Sequence, residues 1–312
     1  MKRWHRRQLL GALGAGLVLG TLAAPLAAEP RGEWFGLGAG ALDGQVALVT
    51  GSTDGLGREV ARELAALGAT VIVHGRSRER GEAVVAEIAA DGRGGAVFYA
   101  ADFASLEEVR ALAQTVRERH QRLDLLVNNA GIWRTAEDET RRLSHDGHEL
   151  VFAVNYLSGY LLSHELRDLL AASAPSRVVN VASRAQTPLA FDNLMLERDF
   201  SPGRAYAQSK LAQILFTFDI AEEWAAEGIT VNSVHPASLM DTTMVRRAGV
   251  APQATVAEGV EAVMQLAVSP DYAARGGLYL EGTEEARAHP QAYDELALAE
   301  LRAASEALTA DQ

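Results

Sequence analysis

The regular alternation of two residue patterns constrains the fold of this chain more than any other feature. From Gln45 onward, short apolar runs rich in β-branched residues alternate with longer stretches whose apolar residues recur at helical spacing. Strands that alternate with helices in this way are typical of βαβ units stacked into a parallel sheet. The strand runs are almost continuously apolar, as expected of strands covered on both faces. We therefore predict a single doubly wound α/β domain with a seven-stranded parallel sheet and helices on both faces.

The pattern also gives the order of the elements along the chain. The predicted strands cover residues 46–50, 70–74, 96–100, 123–128, 177–182, 230–234 and 278–280. The predicted helices cover residues 56–67, 78–90, 106–119, 147–170, 205–227 and 255–267. No linker or repeat interrupts this series, so residues 43–285 are expected to form the one domain. A glycine-rich lead-in precedes it over 29–42, and a helical tail follows over 286–312.

The first 28 residues differ from the rest. A basic start that includes Arg6 and Arg7 is followed by an uncharged stretch over 9–28, which is the pattern of a secretory signal. The adjacent arginines resemble a twin-arginine signal, whose route exports folded proteins. Two alternatives stay open: an ordinary signal with a basic start, and an uncleaved membrane anchor, because about 18 uncharged residues can span a bilayer. We expect export to the periplasm by the twin-arginine route, with membrane attachment as the alternative.

Charge and composition exclude several classes of function. The formal net charge of −12 argues against nucleic acid as a partner, because binding a polyanion requires clustered Lys and Arg. The chain has no cysteine, which excludes disulfides, thiolate metal sites and thiol nucleophiles. His145 and His148 lie three residues apart, but no third ligand accompanies them, so no metal site is predicted.

A glycine-rich segment follows the first predicted strand directly. Residues 50–57 read Thr-Gly-Ser-Thr-Asp-Gly-Leu-Gly, and a helix begins at once. Glycine lets the backbone turn tightly and approach a pyrophosphate, while the N-terminus of the following helix attracts the anion. The position between a strand and a helix favours this interpretation over an ordinary flexible turn. The expected cofactor contacts in this segment are Gly51, Ser52, Thr53, Gly55, Leu56 and Gly57.

The end of the second strand indicates which dinucleotide binds. An acid at this position usually binds the adenosine ribose hydroxyls, whereas an arginine accommodates a 2′-phosphate. Here the strand ends in Val73-His74-Gly75-Arg76, without an acid. An arginine can bind the phosphate with two parallel hydrogen bonds, so we expect NADP rather than NAD. The alternative for Arg76 is a solvated charge at a helix start.

Tyr206 and Lys210 lie four residues apart, and hence on one face of one predicted helix. A phenol has a pKa of about 10, which makes it a poor base at neutral pH. A neighbouring ammonium favours the phenolate, so we expect Lys210 to lower the pKa of Tyr206 toward a range useful for acid–base catalysis. Taken alone, this spacing also fits an ordinary amphipathic helix.

Together with four further motifs, the pair makes the chain resemble the short-chain dehydrogenase/reductase family over roughly residues 42–280. The matching segments are Thr50 to Gly57, Asn128-Asn129-Ala130-Gly131, Asn155, Ser183 at a strand end, and Tyr206 to Lys210. The long interval from Ser183 to Tyr206, with the stretches 191–212 and 281–290, resembles the retinol dehydrogenase-like branch. The resemblance implies a Rossmann fold and an oxidoreductase.

The resemblance also implies a role for each matched residue. Tyr206 exchanges a proton with the substrate oxygen, Lys210 holds the nicotinamide ribose, and Ser183 orients the carbonyl. Asn155 supports a water relay to bulk solvent. Further cofactor contacts are implied for Asp102, Phe103, Asn129, Ala130, Gly131, Pro236 and Thr242. The family often has glycine after this proline, and here Ala237 takes its place.

We accordingly expect an NADP-dependent oxidoreductase that acts on an alcohol, aldehyde or ketone, and that forms a homo-oligomer as is usual in the resembled family. The stretches 186–203 and 237–254 are expected to line the substrate pocket, and Trp133 either faces the substrate or packs in the interior. One alternative is a redox sensor that binds NADP without turnover, although such proteins commonly lose the tyrosine or the lysine. Another is an epimerase or dehydratase of the extended branch, which usually has a different glycine spacing and a larger C-terminal domain.

Overall fold

One eight-stranded sheet organises the computed structural model, which describes residues 33–133 and 140–310. The strands are β1 (Val46–Val49), β2 (Thr70–Gly75), β3 (Gly95–Ala100), β4 (Leu125–Asn128), β5 (Ser176–Val181), β6 (Ile229–His235), β7 (Leu278–Glu281) and β8 (Glu284–Glu285). Their order across the sheet is β3-β2-β1-β4-β5-β6-β7-β8. Each neighbouring pair is parallel except β7 and β8. The predicted α/β fold with a mostly parallel sheet is therefore confirmed.

Helices cover both faces of this sheet. They are α1 (Gly55–Ala66), α2 (Arg78–Asp91), α3 (Leu106–Arg119), α4 (Leu150–Phe152), α5 (Ser158–Ala172), α6 (Pro202–Ala225), α7 (Thr243–Arg247), α8 (Val256–Val268) and α9 (Glu295–Thr309). Successive side chains of a strand point alternately into two cores. Leu48 and Ile72 pack with α3, α5 and α6, whereas Val49 and Val71 pack with α1 and α8. This period of two is what a strand buried on both faces requires.

Several helices begin at a side-chain cap that the sequence supplies. Ser77, Ser105, Ser201 and Thr255 each accept a hydrogen bond from the backbone N–H three residues ahead, at the starts of α2, α3, α6 and α8. Such a cap satisfies one of the backbone donors that have no partner within the helix. Helix α6 also has Pro202 in its first turn, where the missing N–H costs nothing. Tyr206 and Lys210 are thus carried by a helix with a well-defined start.

Four sequence predictions need correction. The sheet has eight strands rather than seven, because β8 turns back after Gly282 and pairs antiparallel with β7. Strand β8 consists of two polar residues, which are too few to show the alternation of apolar and polar residues typical of a strand. The predicted helix over 147–170 is α4, a π-helical turn (Ala153–Leu157) and α5 in succession. In the predicted pocket loop, residues 243–247 form α7, and in the tail only residues 295–309 form the helix α9.

The strand order reverses between β1 and β4, which places a crevice at their carboxyl ends. Strand β1 connects to β2 on one side, and the chain returns from β3 to β4 on the other side of β1. Ligands of doubly wound sheets bind in such a crevice. The glycine-rich loop after β1 and the Asn-Asn-Ala-Gly segment after β4 meet there.

The C-terminal helix α9 packs against α6 and the π-helical turn. Tyr156 Oη and Ser305 Oγ are hydrogen-bonded at 2.7 Å, and His148 Nε2 lies 2.9 Å from the carbonyl oxygen of Leu308. His148 is thus a buried structural residue that holds the tail. Neither His145 nor His148 belongs to a metal-ligand cluster, since no group of three possible ligands occurs in residues 33–133 and 140–310.

The proposed signal, with Arg6 and Arg7, lies outside the described residues. Within the part of the chain that the structure describes, no helix is long and apolar enough to cross a bilayer. Export and membrane attachment therefore stay predictions.

Candidate active site

The glycine-rich loop packs directly on the segment after β4. Gly51 has φ +65°, and a Cβ there would lie 2.8 Å from the Cα of Ala130. A Cβ on Gly57 would lie 2.4 Å from Asn129 Nδ2. Both positions therefore require glycine, one for its backbone conformation and both for the close approach. The sequence-predicted residues Gly51, Gly57, Asn129 and Ala130 are brought together at the crevice.

Thr50 connects these two segments through hydrogen bonds. Its Oγ1 accepts from the backbone N–H of Asn129 at 3.0 Å and from that of Ala130 at 2.9 Å. Asn129 Nδ2 in turn donates to the Thr50 carbonyl at 2.8 Å. This reciprocal set holds the loop rigid at the start of α1, where the helix N-terminus favours an anion. Gly55 and Leu56 form the first turn of that helix, and Asp54 caps it by accepting from Gly55 N at 2.7 Å.

His74 is a site residue that sequence reasoning missed. Its Nδ1 accepts a hydrogen bond from the Gly51 backbone N–H at 3.1 Å, and its Nε2 lies 3.2 Å from the carbonyl oxygen of Ala101. The ring stacks on Phe103 with 4.2 Å between centroids. Burial lowers the pKa of His74 to about 4, so the ring is neutral and its Nδ1 can accept. In the sequence, the signal that could have identified His74 is a polar residue near the end of the otherwise apolar strand β2.

Ser52 completes this bracing. Its Oγ donates to the Val49 carbonyl at 2.6 Å and accepts from the His74 backbone N–H at 3.0 Å. Ser52 is completely buried, so its side chain supports the loop from below. Ser52 therefore holds the loop in place with His74, and its hydroxyl does not face the crevice opening.

The expected phosphate-binding corner lies at the carboxyl end of β2. A Cβ on Gly75 would lie 2.7 Å from Thr53 Cγ2, so the loop and the strand end touch. Arg76 follows with its side chain 72% exposed and its Nη1 3.9 Å from Asp102 Oδ2. The guanidinium is therefore only loosely held and can turn toward a ligand. Phe103, placed beside Asp102, is buried under His74.

Ser183, Tyr206 and Lys210 come together as the sequence predicts. Ser183 follows the end of β5 and lies beside the Tyr206 phenol, and its Oγ accepts a hydrogen bond from the Ala185 backbone N–H at 3.1 Å. The Lys210 Nζ lies 5.7 Å from the centroid of the Tyr206 ring. Tyr279 Oη donates to the Ser183 carbonyl at 3.3 Å, and Gln186 Nε2 donates to the same oxygen at 3.2 Å. The Ser183 carbonyl is thus held by two side chains.

The pKa shifts of Tyr206 and Lys210 differ from the sequence-based expectation. Burial has the largest effect on the pKa of Tyr206 and raises it, while the nearby Ser183 hydroxyl lowers this pKa to a smaller extent. Burial also lowers the pKa of Lys210 to about 7. The Lys210 ammonium donates to the Val181 carbonyl at 2.8 Å and to Gln213 Oε1 at 2.9 Å. The prediction that Lys210 lowers the pKa of Tyr206 finds no support here, since the ammonium is directed toward other acceptors.

Asn155 lies in the π-helical turn and holds the segment after β4. Its Oδ1 accepts from the Ile132 backbone N–H at 2.7 Å, and its Nδ2 donates to the Ile132 carbonyl at 3.1 Å and to Ser209 Oγ at 3.0 Å. Gly131 lies between Asn155 and Lys210, because a Cβ there would be 3.4 Å from Asn155 Oδ1 and 3.6 Å from Lys210 Nζ. Single π-helical turns are frequent at functional sites.

The segment after β6 lies next to the glycine-rich loop. Pro236 follows the strand end at His235, whose Nε2 lies 3.0 Å from Ser238 Oγ. Thr242 caps α7, and its Cγ2 lies 3.3 Å from where a Cβ of Gly55 would be. Thr242 therefore lies beside the start of α1, and its role as a cofactor contact stays a prediction.

An aromatic side chain adjoins the reactive phenol. The ring centroid of Trp133 lies 6.0 Å from that of Tyr206, with 43° between the ring planes. Trp133 is half-buried, so part of its surface is open beside Tyr206. An aromatic ring therefore forms part of the surroundings of Tyr206.

The residues present fit a nicotinamide dinucleotide. The glycine positions let the backbone of the loop lie close to the segment after β4, and the N-terminus of α1 points into the crevice at the strand ends. The donor set is that of a polyanion site, with a helix N-terminus and the exposed guanidinium of Arg76. Lys210 and Tyr206 lie further along the same edge, where a hydride acceptor or donor is needed.

Comparison with known proteins agrees with this geometry. The short chain dehydrogenase family profile matches residues 45–252. Retinol dehydrogenase 14 of Mus musculus is 35% identical over 92% of this chain and 92% of its own length. A solved structure, the Pseudomonas aeruginosa RhlG/NADP active-site complex, is 29% identical with a TM-score of 0.64, and the match covers 77% of this chain and 95% of that one. The NADP-bound 3-oxoacyl (acyl-carrier-protein) reductase of Agrobacterium tumefaciens C58 is 28% identical with a TM-score of 0.63, over 78% and 95% of the two chains.

Proposed function

Because this chain belongs to the short-chain dehydrogenase/reductase family of oxidoreductases, we propose that it transfers a hydride between NADP(H) and an alcohol/carbonyl pair, with Tyr206 as proton donor and acceptor. The observation that carries the proposal is the position of the Lys210 Nζ 5.7 Å from the centroid of the Tyr206 ring, with Ser183 beside the phenol at the same strand edge as the glycine-rich loop. A hydroxyl and a phenol that lie side by side can both reach one substrate oxygen.

In the reductive direction the two hydroxyls bind the carbonyl oxygen. Ser183 donates a hydrogen bond that polarises the carbonyl, and Tyr206 transfers its proton to the oxygen as negative charge develops there. A nicotinamide cofactor held at the crevice by the glycine-rich loop and Lys210 would supply the hydride for the carbonyl carbon. In the oxidative direction Tyr206 takes the proton back from the alcohol. The raised pKa of Tyr206 keeps the phenol protonated at neutral pH, which suits its role as the acid in reduction.

NADP is the cofactor that the strand end favours. The end of β2 provides Arg76 and no carboxylate, and the guanidinium is exposed and loosely paired. Two structural relatives, from Pseudomonas aeruginosa and Agrobacterium tumefaciens, are described with NADP. Both observations support NADP over NAD.

The substrate that best suits the site has an apolar group next to its carbonyl. The half-buried Trp133 ring, whose centroid lies 6.0 Å from that of the Tyr206 ring, offers a surface on which such a group can pack. The curated relative at 35% identity is named a retinol dehydrogenase. Apolar aldehydes and their alcohols, retinoids among them, are therefore the first compounds to test.

The test is turnover by the purified protein with NADPH and a panel of apolar and small aldehydes and ketones, followed by the loss of NADPH absorbance. Tyr206→Phe should lower kcat at least about a hundredfold, the lower end of what a general acid contributes, while the NADPH Kd stays near that of the wild type. Tyr99→Phe is a matched control, since that phenol contacts His120 away from the site. Lys210→Ala should impair both binding and turnover.

Two outcomes would contradict the proposal. Near-normal kcat in Tyr206→Phe would show that another group moves the proton. NADPH binding without turnover of any compound, in either direction, would favour the alternative of a redox sensor.

A further inference from the structure

Helix α6 carries a buried polar stripe that the proposed mechanism uses only in part. Lys210, Gln213 and Thr217 follow at spacings of three and four, which places them on one face of the helix. All three are at most 4% exposed. The residues around them on the helix are apolar: Leu211, Ala212, Ile214, Leu215 and Phe216. Polar groups are costly to bury unless they are hydrogen-bonded, so the contacts of this stripe need explanation.

Gln213 contacts the ammonium of Lys210 directly. The Lys210 Nζ donates to Gln213 Oε1 at 2.9 Å and to the backbone carbonyl of Val181 at 2.8 Å. Within residues 33–133 and 140–310, no carboxylate lies within ion-pair distance of this ammonium, and Gln213 provides the one side-chain acceptor in the hydrogen-bond set. The position of the ammonium therefore depends on one neutral amide oxygen and one backbone oxygen.

We propose that Gln213 is a positioning residue whose amide oxygen holds the Lys210 ammonium on the β5 side of the site and favours its protonated form. This inference rests on the proposed function, in which Lys210 contacts the cofactor ribose. Gln213 itself contacts neither substrate nor cofactor. It acts through Lys210 alone.

The charge balance around Lys210 makes this contact consequential. Burial lowers the pKa of Lys210 to about 7, so small changes in its surroundings alter how much of it is charged at neutral pH. The titratable groups that face it are Tyr206 on its own helix and His235 at the end of β6. Burial lowers the pKa of His235 to about 4, with smaller contributions from Arg184 and Lys210, so this ring is neutral. Tyr206 is also neutral, which leaves the oxygens of Gln213 and Val181 to stabilise the ammonium.

Thr217 supplies a matched control on the same stripe. Its Oγ1 donates to the Gln213 carbonyl at 2.8 Å and accepts from Asn180 Nδ2 at 2.9 Å. The network continues from Asn180 to Asn128, away from Lys210. Thr217→Val therefore disturbs the buried polar network without touching the ammonium. It separates a general loss of core hydrogen bonds from an effect on Lys210.

Two substitutions of Gln213 should act in opposite directions. Gln213→Glu puts a carboxylate beside the ammonium, and an opposite charge at this distance shifts a pKa by about 1 to 3 units toward the charged form. Gln213→Met keeps a similar shape and removes the acceptor, so the neutral amine is favoured. A purely structural role would not give shifts of opposite sign.

The first measurement uses the protein alone. The pKa of Lys210 is lower in the folded protein than the ordinary value of 10.5, so the unfolded chain binds more protons between about pH 7 and 10.5. The free energy of unfolding should therefore rise with pH across this window. Relative to the wild type, the rise should be smaller in Gln213→Glu and larger in Gln213→Met, and unchanged in Thr217→Val. Chemical denaturation at a series of pH values measures it.

The second measurement is the Kd of NADH as a function of pH, since NADH lacks the 2′-phosphate, which titrates itself. Affinity should fall as Lys210 loses its proton, with the midpoint moved to higher pH in Gln213→Glu and to lower pH in Gln213→Met. Equal pH profiles for both variants and the wild type, or shifts of the same sign, would overturn the inference. The unfolding measurement requires neither cofactor nor turnover, so it can fail while the proposed function holds, and the reverse.

Discussion

Replacing Arg76 with alanine tests the cofactor preference through one exposed side chain. Arg76 is 72% exposed, and its nearest acid, Asp102, lies 3.9 Å away. Its removal should cost little stability, because an exposed ion pair at that distance contributes little. The substitution should instead weaken the binding of NADPH, which carries the 2′-phosphate.

The magnitude follows from the exposure of this contact. A hydrogen bond to a charged group contributes about 1.5–3 kcal/mol, and solvent screening at an exposed arginine places this one near the lower value. A loss of about 1.5 kcal/mol corresponds to roughly a tenfold higher Kd for NADPH. The Kd for NADH, which lacks the phosphate, should change by less than about twofold. Arg76→Lys keeps the charge without the planar fork, so its Kd for NADPH should lie between those of the wild type and Arg76→Ala.

Arg78 is the matched control. It is also 72% exposed, lies in the first turn of α2, and pairs with Glu82 at 3.3 Å. Fluorescence titration of NADPH and NADH at constant ionic strength compares Arg76→Ala with Arg78→Ala. Equal losses for the two cofactors, or the same NADPH-selective loss in Arg78→Ala, would refute the reasoning.

Three further predictions concern acid stability, substrate choice and export. Burial lowers the pKa of His74 from 6.5 to about 4, so the unfolded chain binds more protons between those values, and the free energy of unfolding should fall by roughly 3 kcal/mol as the pH drops through them. Urea unfolding at pH 7 and 4.5 should show a smaller fall in His74→Gln and an unchanged one in the exposed control His145→Gln; equal falls in all three would exclude the assignment. Trp133→Ala should raise KM about fivefold for apolar carbonyls and leave small ones unaffected, as the loss of an aromatic contact of about 1 kcal/mol implies; a uniform change would indicate a packing role. Replacing Arg6 and Arg7 with lysine should retain in the cytoplasm a protein that is otherwise found outside the inner membrane, and an unchanged distribution on cell fractionation would remove the twin-arginine prediction.

The arrangement of the cofactor crevice could be predicted from the sequence because its parts are local. The alternation of strands and helices requires a parallel sheet, and in a parallel sheet the strand ends meet along one edge. Residues directly after β1 and β4 therefore had to lie near one another, as Gly51 and Ala130 do. The pair Tyr206 and Lys210 shares a face for an equally local reason, the helical period.

The family resemblance added roles that local pattern does not provide. Asn155 could be singled out only by its match to a motif. The structure then showed why an asparagine suits that position, since its amide reaches both backbone groups of Ile132.

Features that depend on burial and on contacts distant in the chain were decided only by the tertiary structure. His74 meets Gly51 across 23 residues, and no periodicity relates the two. The pKa of Tyr206 is raised rather than lowered, because the effect of burial on this pKa is larger than the opposite effect of the neighbouring Ser183. The ammonium of Lys210 turns to Val181 and Gln213, a choice set by which acceptors the packed core offers within reach. A sequence states which groups a chain carries, whereas their solvation and their partners exist only once the sheet and helices have closed around them.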